Sequence, residues 1–454
     1  MVKSAIAKRR PTSAAARRNP KSETRNRQSA IALDTSSFPG PDDITRVVLP
    51  NGIIVLAREN FSSPAVVFEG SLLVGGLDEP KAKAGLARFT AACLMRGNER
   101  RAFAEIYETI ESIGARLTIN GGTHTSGFGG KSLAEDLDLM LSLAADALRR
   151  PTFPPEHVEK LRGEIMTGLA IRAHDTGAMA SLAFDELLYP DHPYAVSDEG
   201  YPETIAAITR DELMNFHKTF FAPKGMIITI VGAVKAQEAV ALVEKHFGDW
   251  AASRPERSPL PPAPRIPEVR RRFVPIPGKS QCDLMIGCVG PQRSDADFLE
   301  ARLVNNIFGV FGMYGRLGDV VREKHGLAYY AFSQITGGLG PGPWQIVAGV
   351  NPKNVELAME LIVKEMKRLI AAKVTAAELA DNKSYFIGRL PLQLETNEGV
   401  AGMIESMELY GLGLDYLRRY PAMISKITRE RAQAAAANYL DPERYAMAVA
   451  GPEH

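Results

Sequence analysis

Tyr201-Pro202-Glu203-Thr204-Ile205-Ala206-Ala207-Ile208-Thr209-Arg210 is echoed by Tyr420-Pro421-Ala422-Met423-Ile424-Ser425-Lys426-Ile427-Thr428-Arg429. Tyr, Pro, both Ile, Thr and Arg coincide without a gap, each pair 219 residues apart, and Pro223 and Gly232 match Pro442 and Gly451 at the same offset. Both copies predict a turn, a helix opened by Thr and an apolar strand, at 226–231 and 445–450. Agreement at eight unshifted positions identifies two homologous halves of about 210 residues. Residues 251–269 lie between them and hold six prolines (255, 259, 261, 262, 264 and 267), the composition of a semi-rigid linker.

Outward from the repeat, the first half predicts strands at 46–49 and 53–58 around the turn Pro50-Asn51-Gly52. A strand at 65–74 follows, then helices at 84–95 and 103–113 and a hairpin of 115–120 with 124–129 across Gly121-Gly122. Long helices are expected at 133–149, 155–173 and 178–188. The second half predicts strands near 283–289, 328–335 and 344–350, with helices at 298–308, 354–371, 376–389 and 399–410. Antiparallel hairpins covered by helices make an α+β domain. The expected architecture is two homologous domains, 43–250 and 270–454, each an antiparallel sheet flanked by helices, together forming a two-lobed shell.

Composition bounds what such a protein does. Of 454 residues, 45% are apolar and 24% charged, which excludes wholesale disorder. Lys+Arg 54 against Asp+Glu 53 leaves +1, so no global charge points to nucleic acid or a lipid surface. No apolar run reaches the roughly 18–20 residues of a membrane span. Three cysteines, Cys93, Cys282 and Cys288, lack paired metal spacing and fit a reducing compartment. Residues 1–30 carry nine Lys/Arg and one acid, Glu23, with no apolar core for a secretory signal. Residues 1–42 read as a disordered basic tail; a mitochondrial-type presequence and a nucleic-acid contact are the alternatives.

Leu49-Pro50-Asn51-Gly52, Gly85-Leu86-Ala87 and the Tyr201-Pro202 region resemble the pitrilysin/insulinase/mitochondrial processing peptidase family. Gly315-Arg316-Leu317 and Val321-Arg322-Glu323-Lys324-His325-Gly326-Leu327-Ala328-Tyr329 strengthen the resemblance, which spans about 43–454. Active members carry His-x-x-Glu-His directly after the Gly-Leu-Ala stretch, with a further Glu downstream on another helix. Two His at i and i+4 share one helix face and bind Zn²⁺, and the Glu serves as general base. Here the first His position holds Arg88, the Glu position Ala91 and the second His position Ala92, while the downstream Glu position falls at Gly168. An Arg cation repels Zn²⁺, and alanines offer neither lone pairs nor a base. None of the eight His lies four residues from another, so no zinc helix is hidden elsewhere.

The resemblance also implies an Arg and a Tyr seven residues apart, which Arg322 and Tyr329 match. A guanidinium and a phenolic hydroxyl can both donate to a substrate carbonyl oxygen as it gains charge. Lesser features are glycines 309, 312, 315 and 318, read as a flexible bend, and 337–343, read as a hairpin loop. His124 is expected in a strand beside the cleft as a structural residue, His325 as a turn residue, and 280–284 as the opening of a strand near bound peptide.

The resemblance therefore implies a non-catalytic subunit of a heterodimeric zinc metallopeptidase. Arg322 and Tyr329 would act in trans, and the zinc would sit in a homologous partner chain that carries the intact motif. Peptides are the expected substrates, with no cofactor in this chain, no nucleic acid and no membrane, in the cytoplasm unless the basic start is a presequence. The alternative is a non-enzymatic peptide-binding or assembly subunit of the same fold, which has no need of oxyanion donors.

Overall fold

The computed structural model describes residues 33–453, so most of the expected basic tail lies outside the described residues. Its last ten positions are not tail-like. Phe38 is 7% exposed within the core of the second half, and its carbonyl accepts from Arg418 Nε at 2.9 Å. The Arg418 guanidinium also pairs with Asp42. An irregular segment anchored by one aromatic has no periodicity by which a sequence reading could find it.

The first half runs β1 (Thr45–Val48), β2 (Ile54–Glu59), β3 (Ala65–Leu72), α1 (Leu86–Cys93), α2 (Phe103–Ser112), β4 (Arg116–Gly121) and β5 (Ser126–Leu133). It continues through α3 (Leu137–Arg149), α4 (Pro155–Arg172), α5 (Thr176–Leu188), α6 (Pro202–Ala207), α7 (Arg210–Phe220), β6 (Ile227–Gly232) and α8 (Ala236–Phe247). The second half begins with β7 (Arg270–Pro275), β8 (Cys282–Val289), α9 (Phe298–Gly309), a distorted α10 (Phe311–Leu317), β9 (Ala328–Ile335) and β10 (Pro343–Val350). It closes with α11 (Val355–Ala371), α12 (Ala376–Gln393), α13 (Asn397–Leu409), α14 (Tyr416–Ser425), α15 (Arg429–Tyr439) and β11 (Ala446–Gly451).

Two sheets result, β1-β2-β6-β3-β5-β4 and β7-β11-β8-β10-β9. Each is mixed rather than wholly antiparallel, because the last strand of each half returns beside an early strand. Thus β6 runs parallel to β2 and antiparallel to β3, and β11 runs parallel to β7 and antiparallel to β8. Such parallel pairs require the long helical crossovers that precede β6 and β11. Strand β7 escapes the sequence reading because Arg270-Arg271-Arg272 occupies an exposed edge, where charge discourages pairing with other chains. Strand β5 reaches Leu133, so α3 starts four residues later than expected. Its Gly129-Gly130 pair does not end the strand. A Cβ at Gly130 would lie 2.5 Å from the Phe68 ring, so glycine lets β5 pass over β3.

The repeated residues do the same work twice. Thr209 accepts from Glu212 N to cap α7, and Thr428 accepts from Arg431 N to cap α15, each at 3.2 Å. Arg210 then donates to the carbonyls of Phe153 (2.6 Å) and Thr152 (2.9 Å) just before α4, and Arg429 donates to Val374 O (2.5 Å) just before α12. The copies differ at proline: Pro202 opens α6, whereas Pro421 lies inside α14.

The halves also exchange a helix. The buried side chains Ala180, Ala183, Phe184 and Leu188 of α5, from the first half, pack against Met285, Val347, Ala446, Ala448 and Ala450 of the second sheet. In return α13 packs across β3 and β6 of the first sheet, with Val400, Ala401 and Ile404 clustered with Val67, Ile227 and Val231. Alanines at alternate positions of β11 let α5 approach closely.

Candidate functional site

Helix α1, which the resemblance equates with the metal-binding helix, sits against β4. A Cβ at Gly121 would come 2.8 Å from Arg88 Cα and 3.2 Å from Ala91 Cβ, so only glycine admits the helix here. The start of α1 is fixed by Glu79, which accepts from Gly85 N at 2.8 Å and Ala87 N at 2.6 Å. Burial outweighs those two bonds and pushes the Glu79 carboxyl up to about 7. Arg88 points outward from α1 and pairs with Asp198 at 3.3 Å and Glu199 at 3.2 Å. Ala91 is fully buried, Ala92 is partly buried, and Gly168 lies exposed on α4.

A zinc ion does not fit these residues. The four positions provide one cation and no lone pair, and among the described residues no three His, Cys, Asp or Glu side chains are grouped to hold a metal. An ionic network occupies this corner instead. Arg172 of α4 donates to Glu199 at 3.0 Å, Ser197 Oγ at 3.2 Å and the Gly200 carbonyl at 2.8 Å. Two guanidiniums therefore clamp the 197–200 loop onto α1 and α4. Sequence reasoning missed Asp198 and Glu199, since nothing in their local sequence ties them to arginines that lie 110 and 27 residues earlier.

This network borders a cavity of about 490 Å³ between the halves. The first half contributes His124, Arg172, Asp185 and Tyr194, and the second contributes Gly338, Gly340, Pro343 and Gln345. His124 stands in the turn between β4 and β5, not in a strand, because the hairpin needs 122–125 to reverse. Its Nε2 lies 2.5 Å from the Tyr194 hydroxyl. Burial, helped by nearby Arg257, holds the imidazole down at about 4, so it is neutral at physiological pH. Asp185, on the exchanged α5, is driven the other way: burial, with Asp198 and Glu186 nearby, raises its carboxyl to about 7. The chamber thus mixes a neutral imidazole, a phenol and a carboxyl poised near neutrality, groups that can exchange hydrogen bonds with peptide amides.

Arg322 and Tyr329 stand elsewhere. Arg322 belongs to a π-helical turn, Gly318–Lys324, and Gly326 at φ +63° reverses the chain into β9, where Tyr329 is the second residue. The Gly326 amide donates back to Arg322 O at 2.9 Å and the Leu327 amide to Val321 O at 3.0 Å, closing the turn. Arg322 Nη1 donates to Met313 Sδ and lies 3.5 Å from Glu323. Tyr329 is 79% exposed on the edge strand of its sheet, and among the described residues its hydroxyl has no hydrogen-bond partner. Neither side chain lines the cavity between the halves, and neither bonds to α1.

The expected glycine bend is a left-handed turn. Gly312, Met313, Tyr314 and Gly315 all have positive φ (58°, 59°, 82° and 59°), two of them non-glycine. The loop 336–342 joins β9 to β10 as expected, with Pro341 O accepting from Tyr189 at 3.0 Å. Residue 282 opens β8, and Asp283 receives hydrogen bonds from Thr176 and Tyr330, so this part of the strand binds α5. His325 is exposed, its Nδ1 2.7 Å from Val320 O.

Residues 56–174 match the family described as Insulinase (Peptidase family M16), and residues 207–386 match the Peptidase M16 inactive domain. The chain is similar to an uncharacterized zinc protease of Mycobacterium leprae, 27% identical over 440 residues that cover 94% of this chain and 96% of the relative. Over 400 residues it is 25% identical to the mitochondrial-processing peptidase subunit beta of Saccharomyces cerevisiae, covering 84% of each. The crystal structure of a peptidase M16 inactive domain from Pseudomonas fluorescens superposes with a TM-score of 0.85 at 25% identity, over 91% of this chain and 99% of that one.

Proposed function

Because the chain belongs to the insulinase family of peptidases, M16, yet carries none of the family's zinc-motif residues, we propose that it is the non-catalytic subunit of a heterodimeric zinc metallopeptidase. A homologous partner chain would hold the metal. This chain would bind the peptide and present Arg322 and Tyr329 to the carbonyl being attacked.

The observation that carries this reading is the presentation of Tyr329. A strand tyrosine that serves the fold is usually buried with its hydroxyl bonded. Tyr330, its neighbour, follows that habit by donating to Asp283. Tyr329 instead sits exposed with a spare donor, one tight turn away from Arg322. The exposure of Tyr329 on the edge strand β9, with neither side chain bonded to α1 among the described residues, supports action on a site in another chain. Two donors preorganised toward a developing oxyanion each contribute roughly 3–4 kcal/mol of transition-state stabilisation.

The test is reconstitution with a co-encoded homologue that bears His-x-x-Glu-His, assayed on unstructured peptides. Turnover that requires both chains and falls in Arg322→Ala and Tyr329→Phe supports the reading. A partner fully active alone would favour the assembly role instead.

A further inference from the structure

We propose that the pocket between the 97–102 turn and the starts of α2 and α4 binds a phosphate-sized oxyanion. The pocket holds about 370 Å³ and lies on the first half, apart from α1 and from the cavity between the halves.

Its donors converge for local reasons. The Asn98 side chain turns back so that Oδ1 accepts from the amides of Arg100 and Arg101, each at 2.9 Å. That fixes which end of the amide is nitrogen. Asn98 is 7% exposed, it lines the pocket, and its Nδ2 has no acceptor. A buried donor left unmade costs about 1–3 kcal/mol, a cost that an anion would remove.

The charge is also unbalanced. Arg100, Arg101 and Arg150 all converge on Asp146, at 3.3, 3.1 and 3.3 Å. Three guanidiniums share one buried carboxylate, and two of those arginines, Arg100 and Arg101, line the pocket.

Two helix starts face the same space. Ala102 stands at the N-cap of α2 and Pro154 at the N-cap of α4, so neither has a side chain to cap its helix. Helix N-termini of this kind attract anions through their free amides and their dipole. Glu105 folds back so that its carboxylate accepts from Ala102 N at 2.7 Å at the start of α2, and the first-turn amides themselves have no side-chain cap. Glu99 and Glu156 also line the pocket, the Glu156 side chain 83% exposed, where water screens its charge. Their charge suits the site to one compact oxyanion rather than an extended polyanion.

Inorganic phosphate is the probe, titrated into the full chain and followed by ³¹P NMR line width and by melting temperature, against chloride at matched ionic strength. Saturable binding and a rise in melting temperature are expected. Asn98→Asp keeps the acceptor for the Arg100 and Arg101 amides but replaces the free donor with a carboxylate oxygen. It should weaken phosphate binding by about tenfold or more. Arg100→Ala, at a largely exposed side chain, should weaken it severalfold while leaving the fold intact. No saturable binding, or binding unchanged in Asn98→Asp, overturns the proposal. If Asn98→Asp does not fold, unchanged binding in Arg100→Ala overturns it.

Discussion

Arg88 and Glu199 lie 3.2 Å apart, and the other carboxylate oxygen of Glu199 is held by Arg172 at 3.0 Å. Arg88, which the resemblance sets at the first zinc-ligand position, is one end of an ion pair that holds a loop.

That pair is worth little as stability. Both side chains of the Arg88–Glu199 contact are more than two-fifths exposed, so screening keeps its contribution to about 0–1 kcal/mol. Arg88→Ala should therefore lower the free energy of urea unfolding by less than about 1 kcal/mol. Arg88→His should bind no zinc by metal analysis, since Ala91, Ala92 and Gly168 still offer no ligand. A loss of several kcal/mol would show that the pair organises more than the loop.

The exchanged helix is worth far more. Phe184 is fully buried between α5 and the second sheet, and truncating a buried Phe costs about 3–5 kcal/mol. Phe184→Ala should lose that amount. Because α5 and α13 lock the halves reciprocally, unfolding should remain a single transition monitored by both Trp250 and Trp344, one in each half. Two separate transitions would contradict the exchange as the lock.

Asp185 gives stability a pH dependence of defined sign. Its folded carboxyl titrates near 7, above the ordinary carboxylate value of 3.8. The folded state therefore keeps a proton that the unfolded state has lost. Its contribution is fully present below 3.8 and disappears as pH rises through about 7. Asp185→Asn should gain stability over the natural chain progressively across that window and level off above it. A difference independent of pH would place the perturbation elsewhere.

Met313 carries strain at φ +59° inside the left-handed turn before Arg322. A left-handed conformation costs a side-chain-bearing residue roughly 1–2 kcal/mol relative to glycine. Met313→Gly should stabilise the chain by up to about 1 kcal/mol in chemical denaturation, after the lost side-chain packing and the added chain entropy of glycine. Destabilisation would mean that the Met313 contact with Arg322 outweighs the strain.

Much of this was legible in the chain itself. The doubled Tyr-Pro…Ile…Ile-Thr-Arg segment announced two halves, and the structure shows why it persists: Thr209 and Thr428 cap helices while Arg210 and Arg429 tie those helices to α4 and α12. The absence of a His-x-x-Glu-His segment was equally readable, because that motif is a fixed spacing of residue types and no two of the eight His stand four apart. The helix exchange was not readable. An apolar face on α5 states that it is buried, and nothing in it names the second sheet as the surface that covers it. Asp198, Glu199 and the Asn98 pocket escaped for a related reason. Their significance comes from partners far off in sequence or from a hydrogen bond that is missing.

The most direct measurement of the central claim is peptidase turnover by this chain mixed with a homologue bearing His-x-x-Glu-His, comparing the natural chain with Tyr329→Phe. Tyr329 is so exposed that the variant should melt as the natural chain does, while mixed activity falls by roughly 10²–10³-fold in kcat. Equal turnover with Tyr329→Phe, or full activity of the homologue alone, would contradict the role assigned to this chain.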